Sequence, residues 1–228
     1  MQLKHVILAI LFVTSGIFYY QITDAETELI EVKISRIIDG DTVETSSGMR
    51  IRLKGLNTPE KSMKGSLEAV EFLSGKILNK TVNIKSYGQD KYSRTLGYII
   101  LDKENINAEI LRRGLASLYY YEKDEFYNEM FESEEFARMN ELGIWKKSIN
   151  SNCLEIVEFK FKEPESLKLK NNCKITLEVL IKDDATHIYK ESIEPKEILE
   201  KSFSHIWNDA GDTLYVFDDK GLLIFHRY

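Results

Sequence analysis

Between Ile37 and Glu60 one short stretch sets more limits on the fold than any other part of the chain. From Met49 to Lys54, the apolar residues Met49, Ile51 and Leu53 alternate with Arg50, Arg52 and Lys54. A period of two predicts a strand that buries one set of side chains and presents three cations on the other face. Such a face suits phosphates. Asp39 and Asp41 precede this strand and Glu60 follows it. Turns at the two ends can therefore gather the hard oxygen ligands that a divalent cation such as calcium takes. Carboxylates beside a cationic strand point to metal-assisted phosphoryl chemistry. Taken singly, each piece also has a plainer reading. Asp39-Gly40 is an ordinary turn dipeptide, Arg52 can be a solvated strand residue, and Thr58-Pro59-Glu60 can open a helix.

Around this stretch the periodicity predicts a mixed chain. Glu31 to Ile38 reads as a strand, and Thr42–Thr45 and Met49–Leu53 as a hairpin turned at Ser46-Ser47-Gly48. Leu67, Val70, Leu73 and Ile77 recur at helical spacing, predicting a helix from Ser66 to about Asn79 with that stripe facing the core. Strands follow at Thr81–Lys85 and Thr95–Leu101, joined by a polar connection over Tyr87–Arg94. Asn107 is placed to cap a helix over Ala108–Arg113 that stops at Gly114, and a last helix is expected from about Asp124 to Leu142. From Asn152 the pattern is β only, ending in a hairpin around Asp218-Asp219-Lys220-Gly221.

The ordered set of motifs is what becomes specific. Asp39-Gly40-Asp41-Thr42, Arg52-Leu53, Thr58-Pro59-Glu60, the later Asp90-Lys91-Tyr92-Ser93-Arg94, and the closing Gly143-Ile144-Trp145 together resemble the staphylococcal nuclease (thermonuclease) family. The resemblance implies an α+β fold: a five-stranded oligonucleotide-binding-type barrel with three helices over residues 30–148. It further implies a calcium-dependent endonuclease acting on DNA or RNA, with one Ca²⁺ per domain. Arg52, Glu60 and Arg94 would be catalytic, Asp41, Asn57 and Thr58 would hold the metal, and Lys91, Tyr92 and Tyr120 would contact the substrate. Asn57 departs from the family pattern, where an aspartate ligand is expected, and should weaken calcium binding because charge on the ligands tunes affinity. The rival reading is a catalytically weak or silent nucleic-acid or protein-binding module on the same barrel; the retention of Arg52, Glu60 and Arg94 favours the enzyme.

The two ends carry other information. Residues 1–25 open with Lys4 and His5, and Val6 to Tyr20 is uncharged and apolar. This reads as a signal peptide, or as an uncleaved anchor over residues 6–20, and puts the chain outside the cytoplasm, secreted or attached to a membrane. A net charge of −6 gives no overall basic field for nucleic acid, so affinity for a polyanion must come from local arginines and a bound metal. The two cysteines, Cys153 and Cys173, form either one disulfide or two buried thiols. Residues 152–228 resemble lamin-tail-type domains in the phrase Gly-Asp-Thr-Leu-Tyr-Val-Phe-Asp-Asp-Lys-Gly, which implies an immunoglobulin-like all-β sandwich. Such a domain would serve as an accessory for binding or tethering, with a partner the sequence does not name. Its acidic residues read as hairpin turns in preference to a calcium site.

Overall fold

The computed structural model of the chain describes residues 29–228 apart from 62, 121 and 186. The expected signal peptide or anchor over residues 1–25 therefore lies outside the described residues. Among those residues, no helix is long and apolar enough to cross a membrane.

The first half is the expected barrel. Strands β1 (Leu29–Ile37), β2 (Thr42–Thr45), β3 (Arg50–Leu53), β5 (Thr81–Gln89) and β6 (Thr95–Leu101) run in the order β3-β2-β1-β5-β6. Parallel pairing of β3 with β6, Arg52 opposite Leu96, closes the ring. Two-residue strands β4 (Leu56–Asn57) and β8 (Ser117–Leu118) pair with each other, and β7 (Glu104–Asn105) extends the sheet beside β6. Alternation works as the sequence indicates: Val43, Ile51, Leu53, Val82 and Ile84 all point into one buried core. Helices α1 (Ser66–Ile77), α2 (Ile106–Arg112) and α3 (Tyr127–Met139) pack around it.

Several local expectations need correcting. The buried stripe of α1 is Ala69, Leu73 and Ile77, an i, i+4, i+8 row, whereas Leu67 is 66% exposed in the first turn. Helix α2 is capped by Asn105, whose side chain accepts from the backbone N–H groups of Asn107 and Ala108. Asn107 itself is fully buried and does something else. Its Oδ1 accepts from the Ile99 N–H at 3.1 Å and its Nδ2 donates to the carbonyls of Lys54 at 2.9 Å and Gly97 at 3.1 Å. One amide thus ties α2 to β6 and to the end of β3, at the seam that closes the barrel. Strand β5 also runs on to Gln89, taking in the first three residues of the expected polar connection.

The C-terminal region is all β. One sheet has the order β13 (Ile198–Ser202), β10 (Ser166–Asn171), β9 (Leu154–Lys160), and the other β12 (Ile188–Ile193), β11 (Leu177–Lys182), β14 (Thr213–Phe217), β15 (Leu222–Arg227). Leu167 and Leu169 from the first share one core with Val179, Ile181, Leu214 and Val216 from the second, which is the packing of a two-sheet sandwich. Ile175, which continues the sequence alternation of Leu177, Val179 and Ile181, precedes β11 and is 46% exposed. Cys153 and Cys173 are disulfide-bonded.

Barrel and sandwich are joined over an apolar contact. Ala137 and Trp145 form a small core with Tyr215 and Leu222, flanked by Ile144, Phe217 and Phe225. Beside it Glu134, with no exposed surface, accepts from the Leu118 N–H at 2.7 Å and from Arg227 at 2.5 and 3.0 Å. Gly114 and Gly143 allow the close approach on which this end of the barrel depends. Both have positive φ, and a Cβ on Gly143 would lie 2.1 Å from the Gly114 carbonyl oxygen.

Candidate active site

Closure of the barrel brings the two candidate arginines together. Arg52 is on β3 and Arg94 immediately precedes β6, the strand paired parallel to β3. Between them stand two adjacent side chains at the start of β2. Asp41 Oδ2 is 3.2 Å from Arg52 Nη2, and Asp41 Oδ1 accepts from the Thr42 hydroxyl at 3.0 Å. Arg94 Nη1 donates to the same hydroxyl at 3.4 Å. The row Arg52, Asp41, Thr42, Arg94 is therefore continuous. The expectation that all of the β3 cations would share one phosphate-facing surface is not met, because the strand ends at Leu53 and each cation finds its own partner. Arg50 pairs with Glu44 at 3.2 Å. Lys54, past the strand end, is bound to Asp124 and lies 4.5 Å from the Tyr87 ring centroid.

Each arginine is held by more than one contact. Arg52 Nη1 donates to the carbonyls of Leu53 at 2.9 Å and Leu56 at 3.0 Å, and Nη2 donates to Asn57 Oδ1 at 3.3 Å. Arg94 is oriented by Asp90, which accepts its Nε at 2.7 Å and also the backbone N–H groups of Tyr92 and Arg94. Burial raises the Asp90 carboxyl, yet these donors outweigh it and leave its pKa below the usual carboxylate value. Sequence reasoning gave Asp90 no role, although its place four residues before Arg94 is the signal that could have found it.

The residues expected to hold a metal are neighbours. Asp41 is buried and its Oδ2 accepts from the Thr58 N–H at 3.3 Å and the Thr58 hydroxyl at 3.0 Å. Burial and the neighbouring Asp41 charge raise the pKa of Asp39, whose Oδ1 accepts from the Asp41 N–H. Asp41 carboxylate, Thr58 carbonyl and Asn57 Oδ1 are all hard oxygen donors, so in kind they fit a divalent cation of the calcium type. Of the three only Asp41 carries charge. Among the described residues, no group of three His, Cys, Asp or Glu side chains converges to add more. Asn57 also faces away from the barrel: its Nδ2 donates to the Asp184 carbonyl of the C-terminal sandwich at 2.9 Å.

The remaining candidates are spread out. Glu60 is exposed just after Pro59, and its charge acts on Lys182 of the sandwich. Tyr92 is 68% exposed, with Lys91 Nζ 5.1 Å and the Arg94 guanidinium 5.4 Å from its ring centroid. These three side chains form one exposed, cationic and aromatic patch. Tyr120 is half-buried against the barrel core, its hydroxyl bonded to those of Tyr98 and to Asp124 Oδ1 at 3.0 Å.

Comparison with known proteins places the chain. The model of the family described as staphylococcal nuclease homologue matches residues 50–147. The thermonuclease of Staphylococcus intermedius is 31% identical over 144 residues, covering 58% of this chain and 84% of that protein. Protein ParB of Escherichia coli is 30% identical over 125 residues, covering 50% of this chain and 71% of its own length. An uncharacterized endonuclease of Haemophilus influenzae is 30% identical over 118 residues, covering 50% of this chain and 65% of its own length, somewhat less than two thirds. With the closed barrel, its three helices and these matches, the chain belongs to the staphylococcal nuclease family.

Proposed function

We propose that the chain is a calcium-dependent endonuclease that hydrolyses phosphodiester bonds of DNA or RNA. The observation that carries this reading is the convergence of Arg52 and Arg94 on the Asp41–Thr42 pair. Phosphodiester hydrolysis has a barrier so high that a site must lower it by on the order of 15 to 20 kcal/mol. Two guanidinium groups on one phosphate are suited to that, since their hydrogen bonds strengthen as charge builds on the phosphoryl oxygens. Glu60, exposed two residues after Thr58, would serve as the base that orients or deprotonates the attacking water. Pro59 restricts Thr58 to an extended conformation, which aims its carbonyl. Asp41, the Thr58 carbonyl and Asn57 Oδ1 are the residues that would hold Ca²⁺, which when bound supplies Lewis-acid polarisation of a phosphoryl oxygen. Lys91 and Tyr92 take a neighbouring phosphate and base, and Tyr120 completes the substrate contacts from the barrel side.

The sequence-based division into a nuclease domain over 30–148 and a lamin-tail-like accessory domain over 152–228 belongs to the same proposal. So does a location outside the cytoplasm, secreted or anchored through residues 6–20. The Cys153–Cys173 disulfide supports that location, because such bonds persist in oxidising compartments. The test is incubation of the protein with single-stranded DNA and RNA, with calcium or with a chelator. Cleavage that requires calcium supports the reading. Binding with no metal-dependent cleavage supports the silent module instead, which the neutral charge of Asn57 favours.

A further inference from the structure

The amide of Asn57 is used on both sides. Its Oδ1 accepts from Arg52 Nη2 at 3.3 Å, while its Nδ2 donates to the carbonyls of Asp184 at 2.9 Å and Ala185 at 3.4 Å, both in the loop after β11 of the sandwich. That loop is itself drawn together from beneath. Lys182, 7% exposed, donates from Nζ to the carbonyls of Asp183 at 2.7 Å and Ala185 at 2.8 Å. The Ala185 oxygen thus receives a donor from each half of the molecule, and one unbroken path runs Asp41, Arg52, Asn57, Ala185, Lys182. A cleft of about 610 Å³ opens beside it, with Thr58 and Pro59 on the barrel side and Lys182 and Lys190 on the sandwich side.

We propose that Asn57 is a latch between barrel and sandwich, and that through it the C-terminal region positions Arg52 for the reaction. The proposal rests on the nuclease reading of Arg52. It also gives a physical reason for the departure at position 57. A residue there must accept from a guanidinium on one side and donate to carbonyl oxygens on the other, which an amide does and a carboxylate does not. An aspartate would set its oxygen against the Asp184 carbonyl with no proton between them, leaving a desolvated pair of acceptors. The contact is held in place by the Glu134–Arg227 pair and the Trp145–Tyr215 packing, so the loop meets Asn57 from a fixed direction. Lys182 is accordingly a positioning residue, and Asn57 combines that role with the one proposed for its Oδ1 at the metal.

The test uses the full chain and reads backbone deuterium exchange together with steady-state kinetics. In Lys182→Met, exchange in residues 183–187 and in residues 53–58 should both rise about tenfold, because the two segments open as one unit. In the same variant kcat should fall about tenfold with KM within about twofold, the pattern of a lost alignment and not of lost substrate binding. Lys182→Arg keeps a cationic donor and should restore both readouts. Asn57→Asp should open residues 183–187 as far as Lys182→Met does. Exchange confined to 183–187 in Lys182→Met, or an unchanged kcat beside opened segments, overturns the proposal. Exchange is read without substrate, so joint opening in a protein that cleaves nothing supports the latch while refuting the nuclease reading.

Discussion

The carboxylate of Asp41 lies 3.2 Å from the guanidinium of Arg52, so a residue proposed to hold the metal and a residue proposed to grip phosphate are partners in the resting molecule. Arg52 also donates to three other oxygens in a fixed fork. A lysine lacks the planar fork, and its three N–H donors cannot serve these three oxygens and Asp41 together. Arg52→Lys should lower kcat/KM by about 10²- to 10³-fold, measured on a single-stranded substrate in saturating calcium, with circular dichroism unchanged.

Asp90 gives Arg94 its direction through three accepted hydrogen bonds. Asp90→Ala should release the turn over residues 90–94 and lower kcat/KM by about tenfold, less than Arg94→Ala on the same substrate. An Asp90→Ala loss equal to that of Arg94→Ala would count against an indirect role.

Glu134 and Arg227 join the two halves of the chain as a buried ion pair. Removing Arg227 leaves the fully buried Glu134 carboxylate with only the Leu118 N–H and Arg138 at 3.8 Å, so Arg227→Met should cost about 3 kcal/mol in urea unfolding. Glu134→Gln combined with Arg227→Met should cost less than Arg227→Met alone, because no buried charge is then left over. Additive losses in the double variant would contradict this account.

The Cys153–Cys173 disulfide closes a loop with a sequence separation of 20. On the chain-entropy model its reduction should cost about 3 kcal/mol. The measurement is chemical denaturation with and without reductant, followed by near-ultraviolet circular dichroism or by the fluorescence of Trp207, which lies in the same core.

Asp218 links the segment after the barrel to the final hairpin. Burial pushes its carboxyl up, but hydrogen bonds from Ser148, Asn150 and the N–H groups of Lys220 and Gly221 outweigh it and leave the pKa below the usual carboxylate value. A lowered folded-state pKa means stability that is fully present above the unfolded value of 3.8 and is lost as pH falls through the folded value. Asp218→Asn should therefore be less stable than wild type at neutral pH, and the difference should shrink below about pH 4. A difference that is constant across pH would exclude this carboxylate as the cause.

Much of the barrel was legible because its information is local. Alternation over Met49 to Leu53 needs only neighbouring residues to fix which side chains go inward, and Ile51 and Leu53 are buried as that pattern requires. The sandwich was less legible. Strand β10 alternates Lys168 and Lys170 with leucines, but β12 and β13 set Lys and Glu side by side and have no turn motif as plain as the final hairpin, so only the facing sheet reveals which of their residues are inside. Leu67 and Asn107 misled for opposite reasons: one is apolar yet sits in an exposed first turn, the other is polar yet buried as the pin of the barrel seam.

By itself the sequence determined which side chains are available for chemistry, Arg52, Glu60 and Arg94 among them, and which strand alternations build the barrel, because both follow from residue type and short spacing. Tertiary structure alone decided that Arg52 and Arg94 meet across Asp41 and Thr42, that Glu134 finds Arg227, and that Asn57 turns its amide to the sandwich. The partners in those contacts are brought together by strand closure and sheet packing, and nothing in the residues next to each of them encodes the distance.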